Sequence, residues 1–136
     1  MSAVFLDTSG LLALINDDDH WHRRAEEVWR GLVQPQRKLV TTSLVLIECG
    51  DGLSRIQHRQ AAVQLRETLQ SMRNVTVVQS NAELEERAWT LFQDRTDKDW
   101  GMTDCVSMSV MWDEAITEVF GLDHHFQQAG FQVLLS

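Results

Sequence analysis

The sequence predicts an α/β fold, a parallel sheet with helices on both faces. Three observations carry that expectation. Short apolar runs alternate with longer segments of helical period; two of those runs are followed by an aspartate that interrupts the apolar pattern; and 136 residues at 43% hydrophobic supply one compact core but not two. With no repeat, no low-complexity tract and a single proline, Pro35, the expected organisation is one domain over residues 1–136.

Val4 to Leu6 reads as a buried first strand, followed by a Thr-Ser-Gly turn and the apolar run Leu11 to Ile15, long enough for a helical turn or two. Asp17, Asp18 and Asp19 can cap the next helix, in which Trp21, Ala25, Val28, Trp29 and Leu32 recur at helical spacing before Gly31 and Pro35 stop it. Leu39 and Val40 form a second strand. Thr41, Thr42 and Ser43 are cap candidates for a helix through Leu46, Cys49, Leu53 and Ile56. Ala62, Leu65, Leu69 and Met72 mark another helix, Val75 to Val78 a third strand, and Leu84, Ala88, Leu91 and Phe92 a further amphipathic helix. After a polar loop, Thr103 can cap a helix through Met108 and Met111, and Ile116 to Phe120 and Gln132 to Leu135 close the chain as strands.

No segment has the roughly 18 uninterrupted apolar residues of a membrane span, and the N-terminus lacks a signal-peptide pattern, so a cytoplasmic location is expected. Cys49 and Cys105 sit singly in apolar segments, as reduced core thiols do. The net charge of -8 argues against coating nucleic acid by bulk electrostatics, yet it suits acids that converge on a divalent cation, because the bound ion reverses the local sign.

Four acids stand out. Asp7 ends the first strand and Asp123 follows the fourth; in an open parallel sheet the functional crevice lies beyond such strand ends, where the strand order reverses. Glu48, between Ile47 and Cys49, and Asp104, between Thr103 and Cys105, interrupt otherwise apolar stretches. Taken singly, each reads as a cap or a paired acid, Asp104 as a first-turn acid facing the helix dipole. Brought together, desolvated carboxylates repel unless they are protonated or bridged by a cation, and an oxygen-only set selects a hard ion, Mg²⁺ or Mn²⁺.

The segments FLDTSG, LIECGDGLSR, DKDWGMTDC and GLDHHFQQAGFQVL together resemble the PIN-domain family, especially its VapC-type toxins, in the family's order and over essentially the whole chain. The resemblance implies a three-layer α/β/α sandwich around a parallel sheet of four to five strands. It further implies a divalent-metal-dependent endoribonuclease that leaves a 5′-phosphate, with Asp7, Glu48, Asp104 and Asp123 as catalytic and metal-binding residues. Thr8 stands where the family commonly has a small hydroxyl residue beside the first acid. Gly121 stands where the family frequently has Thr or Ser, so the hydrogen bond such a side chain could donate is missing there. A toxin of this type implies a cognate antitoxin; a standalone ribonuclease without one, or a metal-binding protein-interaction module, are the alternatives, and a homodimer is compatible with each.

Arg55 follows Glu48 by seven residues, which on one continuous helix puts both on the same face, and with Arg59 it is a candidate for contacting RNA phosphates. Arg23 and Arg24 are further candidates, while Asp99 and Asp51 are peripheral acids. His124 and His125 read as surface-loop residues, and His20 and His22 as capping and packing residues. Phosphatases of the haloacid-dehalogenase type also place an aspartate after strand one but need a second two positions on, where this chain has Ser9. Receiver domains need an early acidic pair and an acceptor aspartate after a middle strand, and neither pattern is present.

Overall fold

The structure, a computed structural model, describes residues 2–136. Five parallel strands, β1 (Val4–Leu6), β2 (Leu39–Thr42), β3 (Val75–Val78), β4 (Glu118–Phe120) and β5 (Gln132–Val133), lie in the order β3-β2-β1-β4-β5. All three residues of β1 and all four of β2 are buried, so both faces of the sheet centre are covered, as a parallel sheet with crossover helices requires. The edge strand β3 is only half-buried.

The helices are α1 (Thr8–Ile15), α2 (His22–Leu32), α3 (Ser43–Gly52), α4 (Ile56–Ser71), α5 (Ala82–Asp94), α6 (Met102–Asp113) and α7 (His124–Gln128). The chain runs outward from β1 through β2 to β3, then returns to pair β4 against the other side of β1, with Leu6 opposite Phe120. The order therefore reverses between β1 and β4, which makes the C-terminal ends of these two strands the switch point where open parallel sheets bind their ligands. Gly10 on α1 packs directly over the end of β4. A Cβ there would lie 2.3 Å from the Phe120 carbonyl oxygen, so this approach of helix to strand needs a glycine.

Several local expectations are corrected. The segment through Ile56 is two helices: α3 ends at Gly52, Leu53 turns inward at its C-cap, and α4 starts at Ile56 with Arg55 as its N-cap. Glu48 and Arg55 consequently share no helix. The acidic triplet does not cap α2, whose N-cap is Trp21; Asp19 instead accepts the Trp21 amide at 2.8 Å and makes the turn before the helix. Gly31 lies within α2 rather than ending it. Thr103 is inside α6, which starts one residue earlier, and the cap is made by Asp104 accepting the Gly101 amide at 3.1 Å. The helix α7 follows Asp123 in a stretch too short to show periodicity. The described residues hold no helix long and apolar enough to cross a membrane.

Candidate active site

Asp7 is the residue immediately after β1. Its amide donates to the Phe120 carbonyl at 3.1 Å, continuing the sheet by one rung, and its side chain caps α1 by accepting from the Ser9 amide at 3.3 Å and the Ser9 hydroxyl at 2.8 Å. With only 5% of its surface exposed, Asp7 is the one buried carboxylate among the described residues. Burial pushes its pKa up to about 6; the Ser9 hydroxyl and amide pull it down, and the negative charge of Asp104 raises it further.

Asp123 caps α7 just past β4, and the Ser9 hydroxyl accepts the Leu122 amide at 2.9 Å, so Ser9 ties the end of β1 to the loop carrying Asp123. Asp104, in the first turn of α6, is half-buried; burial raises its pKa, the Gly101 amide lowers it, and the charge of Asp123 raises it again. Asp7, Asp104 and Asp123 thus form an electrostatically coupled series.

Glu48 joins through Thr8, whose Oγ1 donates to Glu48 Oε1 at 2.6 Å. Beneath it, Cys49 is buried, and burial together with the charges of Asp7 and Glu48 pushes its thiol up to about 12. That thiol stays protonated and is no nucleophile near neutral pH.

Asp99 is exposed on the loop before α6, and Asp51 is exposed near the end of α3. Arg55 and Arg59 are exposed at the start of α4, where Arg59 Nε donates to the Ser54 carbonyl at 2.6 Å and braces the turn between α3 and α4. Arg24 pairs with Glu27 at 3.4 Å. His22 Nδ1 lies 2.9 Å from the Ala13 carbonyl, a packing role.

His125 departs most from the reading as a surface-loop residue. It is half-buried, with Nδ1 3.0 Å from Asp104 Oδ2 and 3.1 Å from Asp123 Oδ1. Neither Ser9 nor His125 is distinguishable in sequence from ordinary turn residues; their spacing to Asp7 and Asp123 is the only signal available.

The PIN domain matches residues 4–132, nearly the whole chain and the full span of the four acids. The chain belongs to the PIN-domain family. Within it, the chain is 31% identical over 129 residues to the 23S rRNA-specific endonuclease VapC20 of Mycobacterium tuberculosis, covering 94% of this chain and 95% of that protein. The crystal structure of that sarcin-ricin loop cleaving toxin superposes with a TM-score of 0.84 at 30% identity, again over 94% and 95% of the two chains. VapBC2 from Rickettsia felis, solved bound to a promoter DNA fragment, shares the fold at a TM-score of 0.65 and 16% identity, with 96% of each chain covered.

Gly121 lies against the polar support of Asp7. A Cβ at Gly121 would stand 3.1 Å from Ser9 Oγ and 3.3 Å from Asp7 Oδ2. The hydroxyl of Ser9 occupies that neighbourhood and supplies Asp7 with a hydrogen bond of its own.

Proposed function

We propose that this PIN domain is a divalent-metal-dependent endoribonuclease that hydrolyses RNA phosphodiester bonds, acting as the toxin of a toxin–antitoxin pair. The observation that carries the reading is the buried Asp7 carboxylate at the β1/β4 switch point, coupled to Asp104 and through it to Asp123. A structural acid in such a place is ordinarily matched by a lysine or arginine; here its neighbours are other acids and hydroxyls. Oxygen donors of this kind fit a hard ion, Mg²⁺ or Mn²⁺, that relieves burial and repulsion together.

In this reading Asp7, Asp104 and Asp123 hold the ion. Glu48, oriented by Thr8, serves a second ion or positions the attacking water. A bound ion of this class lowers the pKa of its water and offsets charge developing on the scissile phosphate. The rigid end of β1, fixed by the Ser9 and Phe120 hydrogen bonds, keeps Asp7 in place without reorganisation during the reaction. The solvent-facing side of the acid cluster receives RNA, with Arg55 and Arg59 as phosphate contacts.

Similarity to a ribosomal-RNA endonuclease over nearly the full length supports structured rRNA as the first substrate to try, and similarity to a VapC toxin supports a cognate antitoxin and action in the cytoplasm. The test is controlled expression followed by sequencing of RNA 5′ ends, wild type against Asp7→Asn. Discrete new 5′-phosphate ends in wild type alone are expected; identical profiles overturn the reading.

A further inference from the structure

Asp104 and Asp123 belong to α6 and α7, elements separated in sequence by β4, so the distance between the two acids is set by how these helices are held together. His125 makes one link through Nδ1, but it binds carboxylate oxygens for which a cation competes. A second link engages no acid. Trp100, two residues before α6 and only 3% exposed, donates its indole N–H to Gln128 Oε1 at 3.0 Å. Gln128 is the last residue of α7, the helix that Asp123 caps.

Indole nitrogen is a donor only, so a buried tryptophan needs an acceptor to replace the water it leaves. Here the acceptor is the side chain of an exposed residue on another element, and the bond spans 28 residues of sequence from the loop before α6 to the end of α7. Over the face of the same ring the Arg95 guanidinium stands 4.7 Å from a ring centroid. Arg95 is the C-cap of α5, and Asp97 holds it through hydrogen bonds of 3.0 and 3.1 Å. Ring face and ring edge are both fixed, which limits how far the loop entering α6 can shift against α7. Asp104 lies in the first turn beyond that loop, with Oδ2 accepting the Gly101 amide.

We propose that Trp100 and Gln128 are positioning residues, whose hydrogen bond clamps the start of α6 to α7 and so sets the spacing of Asp104 and Asp123 for the hard ion. The inference rests on the metal-dependent reading of the site and adds to it two residues that touch neither ion nor substrate. Metal affinity and turnover depend on ligand placement to a fraction of an ångström, whereas capture of RNA through surface phosphate contacts does not.

The test measures Mn²⁺ affinity of the full chain by calorimetric titration, together with kcat and KM on an RNA that wild type cuts. Gln128→Leu removes the acceptor at an exposed position and so leaves folding intact even if Trp100→Phe does not. Gln127→Leu is the control, on the same helix and also exposed, but bonded to the Ser136 hydroxyl. Gln128→Leu and Trp100→Phe should each weaken Mn²⁺ binding by about fivefold, the factor that one net hydrogen bond corresponds to, and lower kcat by about tenfold with KM unchanged. The double variant should be no worse than either single one, because both remove the same bond. Gln128→Glu, which keeps an acceptor oxygen, should recover most of the Mn²⁺ affinity, and Gln127→Leu should bind Mn²⁺ as wild type does. Wild-type Mn²⁺ affinity in Gln128→Leu, or an equal loss in Gln127→Leu, overturns the clamp and leaves the hard-ion reading standing. Absence of Mn²⁺ binding in wild type overturns that reading, and the clamp with it.

Discussion

Ser9 and Gly121 are steric complements: the Ser9 hydroxyl bridges Asp7 Oδ2 at 2.8 Å and the Leu122 amide at 2.9 Å, and the missing side chain of Gly121 leaves room for it. Gly121→Ala puts a methyl 3.1 Å from that hydroxyl and 3.2 Å from Asp7 Cβ. Overpacking of this kind costs about 1–3 kcal/mol. Ser9→Ala alone removes the bridge. Combining Ser9→Ala with Gly121→Ser restores a hydroxyl from the other side, so the double variant should be more stable and more active than the two single effects predict, by a coupling of about 1 kcal/mol. Denaturant melts and cleavage rates on Ser9→Ala, Gly121→Ser and the double variant, each against wild type, measure it; strict additivity would show that the two positions act independently.

Asp7 makes stability depend on pH in a direction unusual for a carboxylate. Its pKa is raised from 3.8 to about 6, so the folded chain holds a proton that the unfolded chain releases in that interval. Stability from this group is greatest below the unfolded value, declines as pH rises through the folded value, and is flat above it, with a total loss of at most about 3 kcal/mol. Asp7→Asn should therefore melt higher than wild type at pH 7 without divalent ions, with the gap narrowing as the pH falls and closing only below about pH 4, while RNA cleavage falls by orders of magnitude. An Asp7→Asn protein that melts lower at pH 7 would mark the charge as stabilising.

Mg²⁺ or Mn²⁺ should raise the melting temperature of wild type, since an ion that binds only the folded acids stabilises by mass action. The increment should vanish in Asp7→Asn and shrink in Asp104→Asn. Thr8→Val, which removes the 2.6 Å hydrogen bond to Glu48, should cost about 1 kcal/mol of stability and reduce cleavage while leaving most of the metal response in place. Equal metal responses in wild type and Asp7→Asn would place the ion elsewhere.

The strands were legible because Val4-Phe5-Leu6 and Val75-Thr76-Val77-Val78 are short runs rich in β-branched and bulky apolar residues that each end on a polar one, Asp7 and Gln79, and their alternation with helices points to a parallel sheet. The pairing of β1 with β4 was not legible in the strand-end acids; it is the structure that sets these strands side by side and so brings Asp7 and Asp123 to the same end of the sheet. The break between α3 and α4 was not legible: Leu53 and Ile56 continue the helical period of Leu46 and Cys49 although the chain turns between them, and only the structure separates a buried Leu53 from an exposed Ile56. Ser9 and His125 escaped notice for a different reason. Their roles rest on hydrogen bonds across 113 and 21 residues of sequence, to Leu122 and Asp104, and no local pattern encodes those.

That break bears directly on how an acidic protein holds RNA. With Arg55 at the N-cap of α4 and Arg59 in the first turn of that helix, the two arginines sit at the start of α4 rather than along the Glu48 helix, and Arg59 is anchored by the Ser54 carbonyl. Anchoring lowers the entropy lost on contacting a phosphate, whereas each contact remains screened by salt. Replacing both arginines with glutamine should weaken RNA binding and reduce the salt slope by about 0.7 per lost contact on single-stranded RNA. The metal-induced rise in melting temperature should stay as in wild type, because neither arginine reaches the acids. Filter binding across a salt series, paired with melts, makes the comparison. If cleavage and salt slope are both unaltered, the basic path lies on α2, where Arg23 and Arg24 are exposed, and the turn between α3 and α4 serves the fold alone.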